Sequence, residues 1–290
     1  MQTDILACPR CKHPFDSSTP NSLRCRHCGQ EYEIREGIPR LIDTTSLTTS
    51  SAREAFQNNL TWFESHHSSH EEPWRYSERA AEILKRQHVL EEVQRYAPHP
   101  NTLLDIGCSL GQLSHLLAPT TRRYYAIDIA ATAIVKARSQ WSGVQHVPHP
   151  SFVVASATAL PFQTESLDLI ICMDGLFGMD MNEELQRLVL AECYAVLRPG
   201  GIMILTDYMR PERFHEMEER IRQTPFQVLR IHYLYDRLWY QVESWFHLLE
   251  TQRWVRALLR STFFARLLRI PSRMFGKIGS RHICVVVRKP

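Results

Sequence analysis

The chain has 290 residues, of which 44% are hydrophobic and 22% charged, and a formal net charge of +3. That length accommodates one large domain, or a large domain plus a small one, around a substantial core. The near-balanced charge argues neither for nor against nucleic acid. No window of about 18 uninterrupted apolar residues offers a spanning helix, and the opening "MQTDILACPRCK" lacks the basic-then-apolar layout of a signal peptide, so a cytoplasmic protein is the expectation.

Cys8 and Cys11 form one C-x-x-C, Cys25 and Cys28 form another, and thirteen residues separate the pairs. Each pair suits a tight knuckle that aims two thiolates at one point, and two knuckles complete a tetrahedral all-thiolate zinc site. Four thiolates leave no open coordination position, so the zinc is structural and supplies much of the folding energy of so small a segment. Two disulfides are the rival reading, disfavoured by the expected cytosolic setting. A redox role finds no thioredoxin-like pattern around either pair, and His13 and His27 read as solvated neighbours. Through "LACPRCK", "LRCRHCGQEYEI" and "EGIPRLI", residues 5–43 resemble the zinc-ribbon family that includes the small activator subunit of eukaryotic tRNA, rRNA and release-factor methyltransferases. The resemblance implies a similar module fused in cis, over residues 1–45. The polar stretch "TTSLTTSS", residues 44–51, is consistent with a domain boundary ahead of a second domain at 52–290.

Residues 56–96 contain a histidine-rich stretch, an aromatic patch and a long helical pattern. His66, His67 and His70 are open to a metal-cluster reading, but their Ser-rich setting without a nearby cysteine favours a solvated loop. The stretch "TLLDIGCSLGQLSHLL", residues 102–117, starts as a buried strand with Asp105 near its carboxyl end. It turns between Gly107 and Gly111 and goes on with helical spacing. Such a turn presents free backbone N–H groups to a ligand and lets it approach closely. A second strand, "YYAID", ends at Asp128, where an acid accepts hydrogen bonds from ribose hydroxyls. Then follow a helix "ATAIVKARSQ", strands "SFVVASA" and "LDLIICMD", and a helix "NEELQRLVLAECYAVL" stopped by "RPGG". "IMILTDY" is the fifth strand. After the helix "PERFHEMEERIRQT", "FQVLRIHYLY" is the sixth and "HICVVVRK" the seventh. The alternation specifies a doubly wound, mainly parallel α/β sheet.

With "LLDIGCSLG", "YYAIDIA", "ATALPFQTESLDLIICMDGLF" and "ECYAVLRPGGIMILTDY" in this order, residues 102–208 resemble the core of class I S-adenosylmethionine-dependent methyltransferases. The resemblance implies a seven-stranded Rossmann-like sheet whose last strand is antiparallel, inserted beside the sixth. It implies S-adenosylmethionine as cofactor, lined by Asp105, Gly107, Ser109 and Gly111, with Asp128 on the ribose and Ile129 along the adenine. Met173 and Asp174 border the transferred methyl on the same grounds. Two positions depart from the family pattern: Ser109 replaces the middle glycine of the turn, and Ser156 replaces the acid that contacts the adenine amino group. The Ser156 hydroxyl and the Ala157 N–H remain available there. A dinucleotide-binding sheet is the rival, and its G-x-G-x-x-G is absent.

The acceptor is expected to be chosen by two insertions: an N-terminal cap at 56–96 and helices at 236–281 between the last two strands. "EEPWRYSERAAEIL" is similar to cofactor-capping segments of small-molecule methyltransferases, which makes Trp74 and Tyr76 cap candidates; the plainer reading is a hydrophobic anchor for the first helix. Residues 251–290 hold ten Lys or Arg and no Asp or Glu. Within them Trp254, Leu258, Phe263 and Leu267 recur at helical intervals among Arg253, Arg256, Arg260 and Arg269. One reading is a cap helix with a core-facing apolar stripe and a solvated basic face. The others are contact with a membrane surface or lipid-like substrate, or with an acidic partner such as a carrier protein or RNA. Asp174, Tyr208 and His232 are candidate bases by position. The expected reaction is methyl transfer to a small apolar or amphipathic molecule. An RNA or protein methyltransferase and a non-catalytic scaffold are the alternatives. The first lacks a basic-aromatic RNA platform, and "CMDGLF" stands where an "N-P-P-Y"-type motif is expected. The oligomeric state is not legible.

Overall fold

The computed structural model describes residues 4–290 apart from 20, 145–147, 178–180 and 250. Four short strands come first: β1 (Phe15–Thr19), β2 (Ser22–Cys25), β3 (Glu31–Arg35) and β4 (Ile38–Leu41). Helices α1 (Ser50–Ser69) and α2 (Ala80–Tyr96) precede β5 (Thr102–Ile106), the single-turn α3 (Ser114–Leu117), β6 (Arg123–Asp128), α4 (Ala131–Gln140) and β7 (Ser151–Ala155). The chain continues through β8 (Leu167–Met173), α5 (Glu183–Val196), β9 (Leu197–Tyr208), α6 (Phe214–Arg222) and β10 (Gln227–Tyr233). It ends with α7 (Arg237–Phe246), α8 (Arg253–Arg260), α9 (Thr262–Met274) and β11 (His282–Arg288).

The seven strands from β5 onward lie in the order β7-β6-β5-β8-β9-β11-β10, and β11 runs antiparallel to both its neighbours. The period-two pattern of the strands explains the layers. Leu104, Ile106, Tyr125, Ile127, Val153 and Ala155 face one core, closed by Val189 and Cys193 of α5 and Met217 and Ile221 of α6. Leu103, Tyr124, Ala126, Phe152 and Val154 face the other, closed by Val89 and Val93 of α2 and Ile134 and Ala137 of α4. Helix starts follow their side chains: Thr49 accepts from Ala52 N at 3.1 Å and Asn182 from Leu185 N at 2.9 Å.

The cysteine-rich segment does not sit apart from this sheet. Its last strand, β4, pairs parallel with β7, Arg40 opposite Val154 and Leu41 opposite Ala155, so the described residues form one continuous sheet of eleven strands. β7 would otherwise be an open edge of the main sheet, and the added strands cover it. The first knuckle is stitched to the loop after β7: Ala7 N donates to Pro161 O at 3.0 Å and Gln163 N to Ile5 O at 3.0 Å. Lys12 Nζ donates to Leu160 O at 2.6 Å and pairs with Glu192. Leu6, Tyr32 and Leu41 share the core of Tyr125, Leu160 and Phe162. No helix of the described residues is long and apolar enough to cross a membrane.

Three expectations are corrected. The histidine-rich stretch is the end of a 20-residue helix rather than a loop, and His67 is 1% exposed. The helical pattern after Gly111 lasts a single turn, because Pro119 follows at once in a 3-10 turn. Most of the C-terminal apolar stripe does not face the core: Trp254 is 58% exposed, Phe263 71% and Leu267 45%. The buried apolar positions of α8 and α9 are instead Val255, Leu259 and Ala265, packed on Ala81 and Leu84 of α2 and Trp239 of α7.

Removal of residues 1–45 bares the β7 edge and opens the shared core around Phe162. We expect the truncated chain to melt well below the full-length protein or to aggregate, in a thermal scan with a dye or by circular dichroism. An unchanged melting temperature would show that the segment is not part of the stabilising core.

Candidate functional site

Among the described residues, two places gather the chemistry expected from the sequence. The first is the cysteine cluster. The knuckles bring Sγ of Cys8 within 3.7 Å of Cys28 and Sγ of Cys11 within 3.4 Å of Cys25, and all four sulfurs lie within 4.8 Å of one another. Zinc–sulfur bonds of about 2.3 Å in a tetrahedron place sulfurs about 3.8 Å apart, so the donor set fits zinc. Around it, Tyr32 lies 3.6 Å from the Cys8 sulfur through its hydroxyl, which donates to Asp43 at 3.2 Å; Arg10 donates to the same carboxylate at 3.1 Å. These contacts orient the cluster from outside.

The second is a cleft of about 420 Å³ at the carboxyl ends of β5, β6, β7, β8 and β9, where ligands bind in open α/β sheets. Its position follows from the sheet register. Ile106 stands opposite Ile127 on one side and Cys172 on the other, so the chain leaves β5, β6 and β8 at the same level. Gly107 has φ +70, and a side chain added there would meet nothing within 4 Å, so the turn leaves a vacant approach to its backbone. Ser109 is held at φ +50, a conformation costly for a residue with a Cβ. Two contacts hold it: its N–H donates to Asp128 Oδ2 at 2.9 Å, and its hydroxyl lies 3.1 Å from His67 Nε2. The other ring nitrogen, Nδ1, is 2.9 Å from the Phe63 carbonyl and donates to it, so in a neutral ring Nε2 accepts from Ser109. Asp128 Oδ1 accepts from Ala130 N at 2.9 Å. Burial pushes its carboxyl above the usual range, while these N–H donors act in the opposite sense.

Helix α1 and the segment after it roof the cleft. Phe56, Phe63, Trp74 and Tyr76 line it, and the Trp74 and Tyr76 rings are stacked at 5.7 Å. Lys136 Nζ fastens the end of α1, donating to the carbonyls of His67 at 2.6 Å and His70 at 2.8 Å.

The far end of the cleft is ionic. Lys85, 1% exposed, pairs with Asp174 and lies 2.6 Å from Glu82 and 3.3 Å from His282 Nε2. His282 Nδ1 contacts Asp236 at 2.5 Å, and Tyr240 donates to Glu82 at 2.9 Å. Burial and Lys85 push the His282 imidazole down, but Asp236 and Asp174 outweigh them and hold its pKa at about 9. Burial alone would raise the Asp174 carboxyl; Lys85 and His282 overcome it and set it below the usual carboxylate range. Tyr76, Tyr208 and Tyr240 stand around this cluster, and Arg79, held by Glu243 at 2.7 Å, lines the same end.

The sequence-derived residues divide accordingly. Gly107, Ser109, Asp128, Ile129, Ser156, Ala157, Met173, Asp174, Tyr208 and Tyr76 all line the cleft. Ser156 bonds the Thr158 hydroxyl at 2.7 Å. Asp105 instead lines a small pocket behind the turn, where it accepts from the Tyr124 hydroxyl at 2.9 Å; burial raises its pKa to about 7. Gly111 also misses the cleft: a Cβ there would crowd Ser114 Oγ at 3.3 Å, so this glycine serves the turn's own packing. His232 is not brought to the cleft. It lies on the edge strand β10, its ring stacked on His88 of α2, one helical turn beyond Lys85. The sequence reading missed Glu82, Lys85, Asp236, Tyr240 and His282. Their only advance sign is the E-x-x-K of "AAEILKRQ", which reads equally as a surface ion pair.

Residues 103–201 match the family described as a methyltransferase domain, and residues 3–37 match the Trm112p-like protein family. The malonyl-[acyl-carrier protein] O-methyltransferase of Methylococcus capsulatus is 33% identical over 122 residues, 41% of this chain and 42% of that protein. Nodulation protein S of Sinorhizobium fredii is 28% identical over 152 residues, 50% of this chain and 67% of that one. The chain spans about half the length of most of the curated relatives it matches. Among solved structures, the N-methyltransferase NodS from Bradyrhizobium japonicum in complex with S-adenosyl-L-homocysteine superposes with a TM-score of 0.54. At 14% identity it covers 83% of this chain and 100% of its own, which shows the fold.

Two outcomes are expected of the ionic cluster. Lys85→Met strands Asp174 and Glu82 without their buried cation, so unfolding in urea should show a loss of about 3–5 kcal/mol. A stability change under about 1 kcal/mol would mean that the cluster is solvated. His282, with its pKa raised from 6.5 to about 9, stabilises the fold fully below its unfolded value. That contribution is lost as pH rises through about 9. Urea midpoints should therefore fall between about pH 7 and 10, and His282→Gln should flatten this fall.

Proposed function

We propose that this chain, which joins a class I S-adenosylmethionine-dependent methyltransferase domain to an N-terminal zinc ribbon, transfers a methyl group to a small amphipathic molecule. One observation carries the reading: a single cleft runs from the Gly107 turn and Asp128 to the Tyr208, Tyr240 and His282 end. The first part has the makings of a nucleoside site. The open approach at Gly107 and the buried carboxylate of Asp128 suit the cofactor's backbone contact and ribose hydroxyls. Ile129, Ser156 and Ala157 are assigned to the adenine, Met173 to the neighbourhood of the sulfonium, and Trp74 and Tyr76 to the roof.

When bound, S-adenosylmethionine supplies a sulfonium methyl that is already electrophilic. The chain's task is then to hold an acceptor in line and keep water out. Asp174 is a poor base, since Lys85 and His282 both engage its carboxylate. Its role here is to anchor the ionic cluster at the acceptor end. Tyr208 and Tyr240 orient the acceptor, whose polar part meets their hydroxyls and whose apolar part meets the rings. His232, away from the cleft, has no part in this scheme. The zinc ribbon stabilises the catalytic domain by covering β7. Four metal-ready thiols suit a reducing cytoplasm. The basic C-terminal region offers a contact surface for an acidic carrier protein or a membrane.

Asp128→Ala removes the buried acceptor for the ribose. Calorimetry with S-adenosylmethionine should show tight binding to the wild type and a loss of at least about tenfold, about 1.4 kcal/mol, in the variant. Labelled methyl should then pass to members of a panel of amphipathic small molecules. No detectable affinity for S-adenosylmethionine, or methylation of RNA alone, would overturn the proposal.

A further inference from the structure

We infer that α7, α8 and α9 form a docking face for anionic membrane surfaces. The case begins with a helix that is apolar on two opposite sides. Along α9, Ala265 and Ser272 are buried, with Phe264 and Leu268 packed beside them. Phe263, Leu267, Ile270 and Met274 recur at intervals of four, three and four. At 100° per residue they form a narrow stripe roughly 150° around the helix from the buried side. They are 71%, 45%, 63% and 86% exposed. Exposed apolar side chains also flank α9. Trp245 and Leu248 before it, Trp254 on α8, and Phe275 and Ile278 after it are exposed as well, at 73%, 90%, 58%, 62% and 55%. Isolated exposed apolar residues are ordinary, but this many on consecutive elements mark an interaction surface.

Charge decides the partner. Arg253, Arg256, Arg266, Arg273 and Lys277 on the same segments are exposed, and residues 251–290 contain no Asp or Glu. A second copy docking through the same face would oppose cation to cation, because a two-fold contact brings each patch onto itself. An anionic bilayer satisfies both halves. The Trp, Phe, Ile and Met side chains enter the boundary between headgroups and acyl chains, while the guanidinium groups stay at the phosphates. α7 links the two regions, since it carries both Tyr240, which lines the cleft, and the exposed Trp245. Docking itself does not depend on methyl transfer.

The test uses the full-length protein and vesicles of phosphatidylcholine alone or mixed with phosphatidylglycerol, read by flotation and by tryptophan emission. Binding should occur to the mixed vesicles, shift the emission to the blue, and weaken steeply between about 0.05 and 0.5 M salt. The triple variant Phe263→Ser, Ile270→Ser, Met274→Ser changes exposed positions only. It should lose binding about tenfold or more while its melting temperature and S-adenosylmethionine affinity stay unchanged. Those two controls separate failure of the face from failure of the catalytic reading. Three outcomes would overturn the inference: no vesicle binding at low salt, equal binding by the triple variant, or a dimer that the variant dissolves. Preferential capture of an acidic carrier protein with no vesicle binding would overturn it in favour of that partner.

Discussion

The structure depends on the parallel ladder in which β5 lies between β6 and β8. Its register sets Ile106 beside Ile127 and Cys172, and so brings three chain exits to one edge. The turn at 107–109, the carboxylate of Asp128 and the Met173–Asp174 corner meet there with no direct sequence relation. A parallel sheet buried on both faces tolerates no slip, since moving one strand by a residue would turn its whole apolar set to the wrong core. The site therefore inherits its precision from burial beneath it. Ser109 shows the consequence: its positive φ is tolerated because Asp128 on one side and His67 on the other fix it.

The same sheet explains the ribbon. A metal-stapled segment of some forty residues buries little surface by itself, and here it borrows a core. Its strand β4 completes the β7 edge, and Leu6, Tyr32 and Leu41 enter the cluster around Phe162. Metal binding and sheet addition thus reinforce each other, since the knuckle that holds Cys8 and Cys11 also bonds to Pro161 and Leu160. The segment that matches the Trm112p-like family is thus covalent and continuous with the sheet of the methyltransferase domain.

The cleft has two chemical halves. One is lined by Phe56, Phe63, Ile129 and Leu185 beside the buried Asp128; the other is a cluster of opposite charges closed by tyrosines. Buried ion clusters contribute little net stability when complete and are costly to break. This one joins Lys85 of α2, Asp174 after β8, Asp236 before α7 and His282 at the start of β11. Four separate segments are thereby tied together at the point where an acceptor is expected. That tie gives the cleft a fixed polar end beside a wall that is apolar along most of its length.

The sequence by itself determined much of this protein. The two C-x-x-C pairs fixed the cysteine cluster, because chain spacing alone aims such thiols. The order of strands, glycine turn, Asp128 and "LRPGG" fixed the seven-stranded sheet and the cleft-lining residues Gly107, Ser109, Asp128, Ile129, Ser156 and Met173, because these lie at strand ends, where local pattern and position coincide. Tertiary structure decided the rest. Lys85 reads as a solvent-facing helix residue until β11 and the turn after β8 supply His282 and Asp174. His232 reads as a base until the edge position of β10 turns it toward His88. His67 reads as a loop residue until the Ser109 turn gives α1 something to close upon. Leu267 and Phe263 read as core because periodicity records that a helix has an apolar side and says nothing of how many sides are covered. Local pattern fixes what an element is; only packing fixes what each of its faces meets.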